Sequence, residues 1–572
     1  MATTEATVIS PIEDWKDVPW QKLEKRIFRL QKRIYRAQSR GNVQAVRSLQ
    51  RLLIKSWSAR MLAVRRVTQD NQGKRTAGID GIKNVGPQHR LTLVATLAQP
   101  EAIKAQPVRR VLIPKPGKEG QVRRLGIPVM LDRAHQALIK LALEPQWEAR
   151  FEPNSYGFRP GRSCHDAIEA VFNQLRFQDK YILDADIADC FDSIRQEVLL
   201  AKLAAPRVIQ RAVRAWLKAG ILDGVVFTPT TSGTPQGGVA SPLLANIALD
   251  GMEAAVRASY RRTDAHGNSI TPSLIRYADD VVVLCADYDG IVVAQGALEG
   301  FLAEAGLRLH PTKTRIIHSL HSVDDAAPGF HFLGFTIRQH QVGKYRAGKR
   351  PRGRQRLPFK TLITPSKESI RRHVRQTRHI IRAHKGLSQD RLIDHLNPVI
   401  TGWARYFRSV QAYKTYRLCD LHLYNQLRSW AYHRHPRKSR RWIVRKYWSF
   451  EPGRRWRFRA PSGQDLRRHS EVSSLRHVKV CGSASPYDGN LIYWTRRLSQ
   501  HPLTRTMESR LLRRQAGKCA RCHLTFRDGD QWEIDHIDPR DGEQITNKQL
   551  LHRHCHDQKT AQMGDHLRRR YP

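Results

Sequence analysis

Two clusters of aspartates, each joined to short hydrophobic runs, constrain the fold of this chain more than any other feature. The first follows the run 181–183 and comprises Asp184, Asp186, Asp189 and Asp192. The second is the pair Asp279 and Asp280, between the hydrophobic runs 274–277 and 281–284. Runs of this length predict strands, and the Asp pair would then occupy the tight turn of a hairpin.

Two carboxylate clusters at strand ends suggest a site for a pair of metal ions. Phosphoryl transfer between nucleotides commonly uses two divalent ions, one activating the attacking hydroxyl and one stabilising the leaving oxygen. Mg²⁺ prefers hard oxygen ligands and keeps several waters, so a few aspartates suffice. For the Asp pair alone, a solvated turn is an equal alternative because short motifs are often coincidental.

Further blocks decide against that alternative because they resemble, in order, the palm of reverse transcriptases. These blocks are DADIADCFDSI from Asp184, SGTPQGGVASPLLANIALD from Ser232, the tetrad YADD from Tyr277 and FHFLGFTI from Phe330. Upstream blocks resemble more narrowly the fingers of group II intron-encoded proteins. They are TAGIDG from Thr76, VLIPKPGKEGQVRRLGIP from Val111 and NSYGFRPGRSCHDAI from Asn154. The resemblance runs from about residue 65 to the C-terminus.

This resemblance implies the catalytic carboxylates of the palm. Asp186, Asp279 and Asp280 would hold two Mg²⁺ ions, with Asp186 and Asp279 as the bridging ligands. Asp184 and Asp192 would support them.

The resemblance also implies contacts with the incoming deoxynucleoside triphosphate. The implied residues are Lys115, Arg123, Phe191, Gln236, Gly237 and Lys313. Lys115 and Arg123 would neutralise phosphate charge. Phe191 would lie against the sugar, although a core aromatic is the alternative. Gly237 lacks a Cβ, so the backbone could approach a base pair. Lys313 would help to protonate pyrophosphate, although an exposed lysine is the commoner case.

Composition indicates a polyanionic partner. The chain has 99 Lys and Arg against 51 Asp and Glu, a formal net charge of +48, and such an excess is typical of nucleic-acid binding. Basic residues also cluster, as in KYRAGKRPRGRQR from Lys344 and RHPRKSRRWIVRKYW from Arg434. Cations interleaved with aromatics favour a structured RNA, and the RNA-binding candidates are Arg350, Arg352, Arg354 and Arg356. A charge run is more often a solvated tract.

The sequence predicts a cytoplasmic, nucleoid-associated protein, most simply in a prokaryotic cell. No stretch approaches the roughly 18 consecutive apolar residues of a membrane span, so no membrane partner is expected. Acidic residues within the first twenty positions argue against an export signal. Eight scattered cysteines favour a metal site over a disulfide framework.

The C-terminal segment carries a second chemistry. Cys519 and Cys522, together with His552 and Cys555, have a spacing suited to one tetrahedral Zn²⁺. His552 is the least secure of these ligands, because His523 and His554 are close enough in sequence to substitute. The zinc would be structural, because so small a segment buries little apolar surface.

The segment between the Cys519–Cys522 pair and the His552–Cys555 pair resembles an HNH endonuclease. The resemblance implies that His536 is the general base that activates water, a task suited to an imidazole. Asp535 and His556 would hold the catalytic divalent metal, and Asn547 would orient the loop or His536. A zinc ribbon that only binds DNA is the alternative.

The expected fold is multidomain α+β: a right-hand-like polymerase with fingers and a mixed β-sheet palm, a helical thumb or maturase domain, and a small zinc-stabilised ββα HNH domain. The expected units are a basic helical extension (1–65), fingers and palm (66–340), thumb and maturase with a basic insertion (341–460), a DNA-binding linker (461–505) and the HNH domain (506–572).

The resemblance implies a protein of intron mobility and splicing. It would bind group II intron RNA as a maturase, nick target DNA and extend the nicked strand with the intron RNA as template. A splicing-only maturase and a host-adopted reverse transcriptase in defence or diversification are the alternatives. The sequence leaves open whether the particle contains a homodimer.

Overall fold

The structure is a computed structural model that describes residues 14–114, 120, 122–343, 356–451, 454–539 and 541–570. It has an α+β architecture in which helical units flank several small sheets. Lys115, Arg350, Arg352 and Arg354 lie outside the described residues.

The N-terminal part is helical. It contains α1 (Trp20–Ser39), α2 (Val43–Lys55), α3 (Trp57–Arg65) and α4 (Pro87–Thr96). In α1, Leu23, Ile27, Leu30 and Ile34 recur at helical spacing and are all buried, which gives the helix one apolar face. The basic residues of α1 lie mainly on its exposed side.

The fingers form around a sheet and a long buried helix. The elements from residue 108 to 228 are β1 (Val108–Pro114), β2 (Val122–Ile127), α5 (Met130–Glu148), α6 (Cys164–Leu175), β3 (Tyr181–Asp186), α7 (Cys190–Ser193), α8 (Gln196–Lys202), α9 (Arg207–Lys218), β4 (Ile221–Asp223) and β5 (Val226–Thr228). One sheet has the order β2-β1-β4-β5, with β1 and β4 parallel. Helix α5 is buried along almost its whole length and packs against α1, α2 and α3.

The palm elements follow. They are α10 (Ser241–Ala248), α11 (Met252–Ser259), β6 (Arg262–Thr263), β7 (Ser269–Ile270), β8 (Ser273–Tyr277), β9 (Asp280–Cys285), α12 (Tyr288–Glu304) and β10 (Arg315–His318). The palm sheet has the order β10-β3-β9-β8, and its three pairings are antiparallel.

The prediction of a mixed palm sheet is therefore wrong for these strands. Strands β8 and β9 form a hairpin, which must be antiparallel. Helix α12 carries the chain from β9 across β3 to β10. Strands β9 and β10 run in the same direction, but β3 lies between them, so they do not pair.

A small sheet and a helical unit come next. The elements are β11 (Phe330–Phe332), β12 (Phe335–Gln341), β13 (Phe359–Pro365), α13 (Lys367–Ala383), α14 (Gln389–Phe407), α15 (Tyr413–Arg434), α16 (Arg440–Tyr447), β14 (Trp448–Glu451) and β15 (Arg454–Phe458). Ser366, Ser388 and Ser439 cap α13, α14 and α16 through their side-chain oxygens, as is common at helix N-termini. The helices enclose their own core around Leu392, Ile400 and Leu427.

The C-terminal part is a ββα unit preceded by two helices. The elements are α17 (Leu491–Ser499), α18 (Thr506–Arg514), β16 (Trp532–His536), β17 (Lys548–His552) and α19 (Arg553–Arg570). The segment before α17 packs on the fingers: Asp166 accepts a hydrogen bond from the backbone N–H of Val480 at 2.9 Å and lies 3.0 Å from His477 Nε2.

The ββα unit also contacts the first helix of the chain. Gln21 Nε2 donates to the carbonyl of Cys522 at 2.6 Å, and an Arg527 guanidinium nitrogen lies 3.7 Å from Glu24 Oε2. The two ends of the described chain are therefore in contact.

Candidate functional site

The palm sheet brings the two aspartate clusters together. Asp186 ends β3 and is the register partner of Asp280, the first residue of β9. Asp279 lies in the turn, and Ala278 before it has a left-handed φ of 59°. A Cβ on Gly157 would approach the backbone nitrogen of Ala278 to 2.3 Å, so only glycine allows the fingers block to pack against this turn.

The electrostatics of this cluster favour a cation. Partial desolvation in the cleft, followed by the charges of Asp279 and Asp186, raises the pKa of Asp280 to about 7. Burial and Asp186 also raise the pKa of Asp279, which Arg123 and Lys313 oppose. Lys313 donates a hydrogen bond to Asp186. Carboxylates that raise one another's pKa in this way fit the oxygen-ligand set of divalent magnesium.

Asp184 and Asp192 lie close to the cluster in different ways. Asp184 is paired with Arg315 of β10 at 3.2 Å. The backbone carbonyl of Asp192 accepts a hydrogen bond from Ser232 at 3.1 Å, so it joins α7 to the loop that precedes α10. Both are placed to support the neighbouring elements.

A buried arginine that the sequence analysis missed holds the turn that carries Asp279. Arg276 is 1% exposed. Its guanidinium donates to the side chains of Asn246 and Ser155 at 2.9 and 2.7 Å, and to the carbonyl of Ala278 at 3.3 Å. The signal in the sequence is an arginine inside a hydrophobic strand, since buried charges need partners.

Arg123 and Phe191, two of the residues expected near the nucleotide, lie close to the aspartates. Arg123 is on β2 and close enough to Asp279 to oppose the rise of its pKa. Phe191 is on α7, and its ring centroid is 6.2 Å from that of Phe158. Phe158 is half exposed with a φ of 61°, so an aromatic pair lies beside the carboxylates.

The glycine loop joins the palm to the fingers. The carbonyl of Gln236 accepts a hydrogen bond from the backbone of Gly126 at 2.7 Å. Gly237 has a φ of 121°, and a Cβ there would lie 2.8 Å from the carbonyl of Gly126. This loop therefore needs glycine for contact with β2 as well as for any approach to a base pair.

The C-terminal unit gathers a Cys₃His set. The ligand atoms of Cys519, Cys522, His552 and Cys555 lie within 4.8 Å of one another, and all four residues are buried. Hydrogen bonds, first from Cys522, lower the pKa of the Cys519 thiol well below its usual range. The donor set and its compactness fit tetrahedral zinc.

His552 is the histidine of this set. Its Nδ1 lies 3.3 Å from Cys522 Sγ, and its Nε2 is 3.4 Å from Asp530 Oδ2. A carboxylate on the second ring nitrogen is the usual arrangement around a zinc-bound histidine. His554 instead points to Glu24 of α1, with 3.9 Å between Nε2 and Oε1.

Asp535 and His556 meet at a second carboxylate–imidazole site. His556 Nε2 is 3.8 Å from Asp535 Oδ1, and its Nδ1 is 3.4 Å from Glu533. The sequence analysis missed Lys559, whose Nζ donates to Asp535 Oδ2 at 2.6 Å and to the carbonyl of His536 at 2.5 Å. A lysine one helical turn after His556 was the only signal for this contact.

Asn547 shapes the loop beside His536. It is 5% exposed. Its side-chain nitrogen donates to the carbonyls of Asp538 and Asp541 at 2.8 and 2.6 Å, and its side-chain oxygen accepts from the backbone of Asp538 at 2.9 Å. His536 itself faces Glu543, with 3.4 Å between Nε2 and Oε1. The geometry therefore joins Asn547 to the loop and not to the His536 ring.

Helix α14 ends in three aromatic residues, Trp403, Tyr406 and Phe407, whose contacts are largely structural. Phe407 is 2% exposed and packs at 4.9 Å from the ring of Phe335. Tyr406 donates to the carbonyl of Leu333 at 2.9 Å, and Trp403 stacks on His373. These contacts join the helical unit to the β11–β12 hairpin.

Within the described residues, no helix is both long enough and apolar enough to cross a membrane.

Four families match successive parts of the chain. Residues 15–97 match the N-terminal domain of reverse transcriptase, and residues 113–337 match reverse transcriptase (RNA-dependent DNA polymerase). Residues 369–448 match the maturase-specific domain of group II introns, and residues 519–562 match HNH endonuclease.

Curated relatives agree with these matches. Protein YkfC of Escherichia coli is 34% identical over 312 residues, which cover 48% of this chain and 78% of YkfC. Group II intron-encoded protein LtrA of Lactococcus lactis is 34% identical over 183 residues, 31% of this chain and 30% of LtrA. A 91 kDa protein in the cob intron of Schizosaccharomyces pombe is 30% identical over 38% of this chain and 33% of its own length. The aligned part is therefore about a third of the last two relatives.

Proposed function

Because the chain belongs to the group II intron-encoded reverse transcriptases with maturase and HNH endonuclease domains, we propose that it copies intron RNA into a DNA target that it nicks itself. The observation that carries this proposal is that one chain assembles both carboxylate sites, one at Asp186 and Asp279 and the other at Asp535 and His556.

In the palm, Asp186, Asp279 and Asp280 would hold two Mg²⁺ ions. Bound there, the ions would activate the primer 3′-hydroxyl and stabilise the leaving pyrophosphate. Arg123 would compensate phosphate charge during transfer. Lys313 already donates to Asp186, so its ammonium is close enough to the carboxylates to give a proton to the leaving group.

Phe191 would exclude ribonucleotides by lying where a 2′-hydroxyl would otherwise fit. The ring is half-buried and lies edge to face with Phe158, with 6.2 Å between the ring centroids. The loop at Gln236 and Gly237 would support the templating base pair, since its contact with β2 fixes its backbone.

In the ββα unit, Asp535 and His556 would hold one divalent ion that stabilises the charge on the scissile phosphate. The His536 imidazole would take a proton from the attacking water, and its own backbone carbonyl is held by Lys559. The Cys₃His set would hold structural zinc, because it joins the turn at Cys519 and Cys522 to His552 at the end of β17 and to Cys555 in α19.

The maturase unit would bind the intron RNA from which the protein is expressed and stabilise its splicing-competent fold, in a nucleic-acid-containing cytoplasm. A splicing-only role would leave the palm carboxylates without use. The assembled palm site, with Arg276 holding its turn, favours a working polymerase.

The test is a target-primed reaction with purified protein, the intron RNA and duplex DNA of the joined flanking exons. Wild-type protein should nick one strand and extend it into cDNA. Asp279→Ala should nick without extension, and His536→Ala should extend a pre-nicked strand without nicking an intact one. A wild-type protein that copies RNA only from a supplied primer, and never nicks, would contradict the proposal.

A further inference from the structure

A cleft of roughly 880 Å³ separates the maturase helix α14 from the nuclease hairpin. One wall is α14, with Thr401 and Arg405, and the opposite wall is the hairpin, with Ile534 and Lys548. Cations from the linker and from α18 line the cleft between them. These are Arg467, Arg505 and Arg510. We call this feature the arginine cleft.

Two of the five cations of the arginine cleft have a carboxylate partner, since Arg505 lies 3.8 Å from Glu508 and Lys548 pairs with Glu543. Arg405, Arg467 and Arg510 form no ion pair with a carboxylate anywhere in the described parts of the chain. Asp394 also lines the cleft, but it accepts a hydrogen bond from Gln464 at 2.8 Å.

Arg405 lies near the centre of this group, beside Arg505 and Arg467. Burial, and then the charges of Arg505 and Arg467, lower the pKa of Arg405, and Glu508 opposes this shift. Side chains of one sign gathered in a concave surface raise the local concentration of anions. The cleft therefore fits a phosphate-bearing ligand.

The cleft opens on the face of the hairpin that carries the proposed general base. His536 is the register partner of Lys548, and Ile534 is two residues away on the same strand, so all three side chains share one face. Glu543 contacts both His536 and Lys548. A strand held by the arginines would thus run toward His536.

A second cavity of roughly 580 Å³ continues from the first along α14. Asn397, Thr401, Arg405 and Arg467 line both. Asp465 and Glu471 also line the second cavity, and Arg457 pairs with both of them. The surface that the two cavities share along α14 is nevertheless longer than a single phosphate needs, as expected for a nucleic-acid backbone.

We propose that the arginine cleft binds the sugar–phosphate backbone of the DNA strand that the nuclease nicks, with Arg405 of the maturase helix as one of its phosphate ligands. DNA is favoured over RNA because one wall is the nuclease hairpin itself. The inference rests on the proposed nuclease function and adds that the maturase unit builds part of the nuclease's substrate channel.

The experiment compares two full-length variants of equal charge. The cleft variant carries Arg405→Gln, Arg467→Gln and Arg510→Gln. The control carries Arg207→Gln, Arg211→Gln and Arg214→Gln on the exposed side of α9. Binding to duplex DNA of the joined exons is measured against salt, together with nicking, intron RNA affinity and extension of a supplied primer.

The cleft variant should flatten the log–log salt slope of DNA affinity by roughly 0.9 for each arginine that contacts a phosphate, and nicking at low DNA concentration should fall with it. RNA affinity and primer extension should match the control. An unchanged DNA slope, or a loss of RNA affinity with DNA affinity retained, would overturn the inference. If the cleft variant loses primer extension through misfolding, Arg405→Gln is compared with Arg405→Lys, and equal DNA affinity in those two would also overturn it.

The two proposals can fail separately. If wild-type protein does not nick but the cleft variant still loses DNA affinity, the nuclease proposal falls and the cleft assignment stands. If His536→Ala abolishes nicking while the cleft variant binds and nicks like the control, the nuclease proposal stands and the cleft assignment falls.

Discussion

Lys559 donates a hydrogen bond to Asp535 at 2.6 Å, and Asp535 is one of the two residues that we propose hold the nuclease metal. The palm repeats this relationship, since Lys313 donates to Asp186. In both sites an ammonium compensates a carboxylate that also has a place in a divalent-metal site. A divalent ion bound at either proposed site would compete with a lysine for its carboxylate, so we expect both sites to respond to the loss of that single charge.

The palm carboxylates should be indispensable for RNA-templated primer extension. Asp279→Ala should abolish extension with Mg²⁺, because the turn residue supplies a bridging ligand. RNA affinity should change little, since the excess of 99 basic over 51 acidic residues supplies most of it. Extension assays and RNA titrations on the same preparation check this. Undiminished cDNA synthesis by the variant would show that the metal-site assignment is wrong.

The raised pKa of Asp280 predicts that ionisation of this carboxyl lowers the stability of the folded protein in Mg²⁺-free buffer. Its pKa of about 7 exceeds the ordinary 3.8, so the folded protein disfavours the ionised form. The stabilising contribution of the protonated carboxyl is complete below pH 3.8, the ordinary pKa, and is lost as the pH rises through about 7. Asp280→Asn should therefore raise the thermal midpoint relative to wild type, and the difference should grow from pH 4 to 7 and level off above it. A difference in thermal midpoint that does not change with pH would contradict the raised pKa assigned to Asp280.

Local sequence patterns predicted much of both sites. The runs around Asp279 form the expected hairpin, and His552 with the three cysteines forms one compact set. Hairpins and closely spaced ligands depend on residues that are near one another in sequence. The antiparallel palm sheet was missed because it depends on how α12 crosses β3, which no short window records.

The supporting residues were missed for the same reason. Arg276 donates a hydrogen bond to Ser155, which lies 121 positions away in sequence. The carboxylate of Asp530, just before β16, lies beside His552 at the end of β17. Residues 461–505 were predicted to form a DNA-binding linker, and nothing in the sequence indicated that His477 within it contacts Asp166, 311 positions away. Such contacts arise only when distant elements pack.

The basic tract between β12 and β13 should contribute to RNA affinity. Replacing Arg350, Arg352, Arg354 and Arg356 by glutamine should flatten the log–log salt slope for intron RNA by roughly 0.7 per lost phosphate contact with single strands. The measurement is binding at several salt concentrations, with the α9 triple variant carrying in addition Lys218→Gln as a control that removes the same four charges. If the slope stays unchanged, the tract is not an RNA contact.

Asp530 should tune the zinc site without being a ligand. Asp530→Asn removes the carboxylate beside His552 Nε2, and loss of such a partner typically weakens metal affinity by roughly 10–100-fold. Zinc transfer to a competing chelator measures this. His554→Asn is the matched control, because His554 faces Glu24 and not the cysteines. Equal zinc loss in the two variants would mean that His552 is not the histidine ligand.

His536→Ala separates nuclease chemistry from nuclease folding. The variant removes the proposed base without altering Cys519, Cys522, His552 or Cys555, so zinc content should stay at the wild-type level while nicking falls by roughly 10²–10⁴, the usual contribution of a positioned base. Cys519→Ser should lose zinc, local folding and nicking together, because structural zinc contributes folding free energy.

Primer extension from a supplied primer should survive in both variants, since its carboxylates lie on β3 and β9. Cys519→Ser is the stricter test of this independence. The side chain of Gln21 in α1 donates a hydrogen bond to the carbonyl of Cys522, which links the nuclease unit to the N-terminal helices. Zinc content, nicking and extension are measured in parallel on the two proteins. Normal nicking by His536→Ala would refute the HNH assignment. Loss of extension in Cys519→Ser alone would mean that the contact with α1 makes polymerase stability depend on the zinc site.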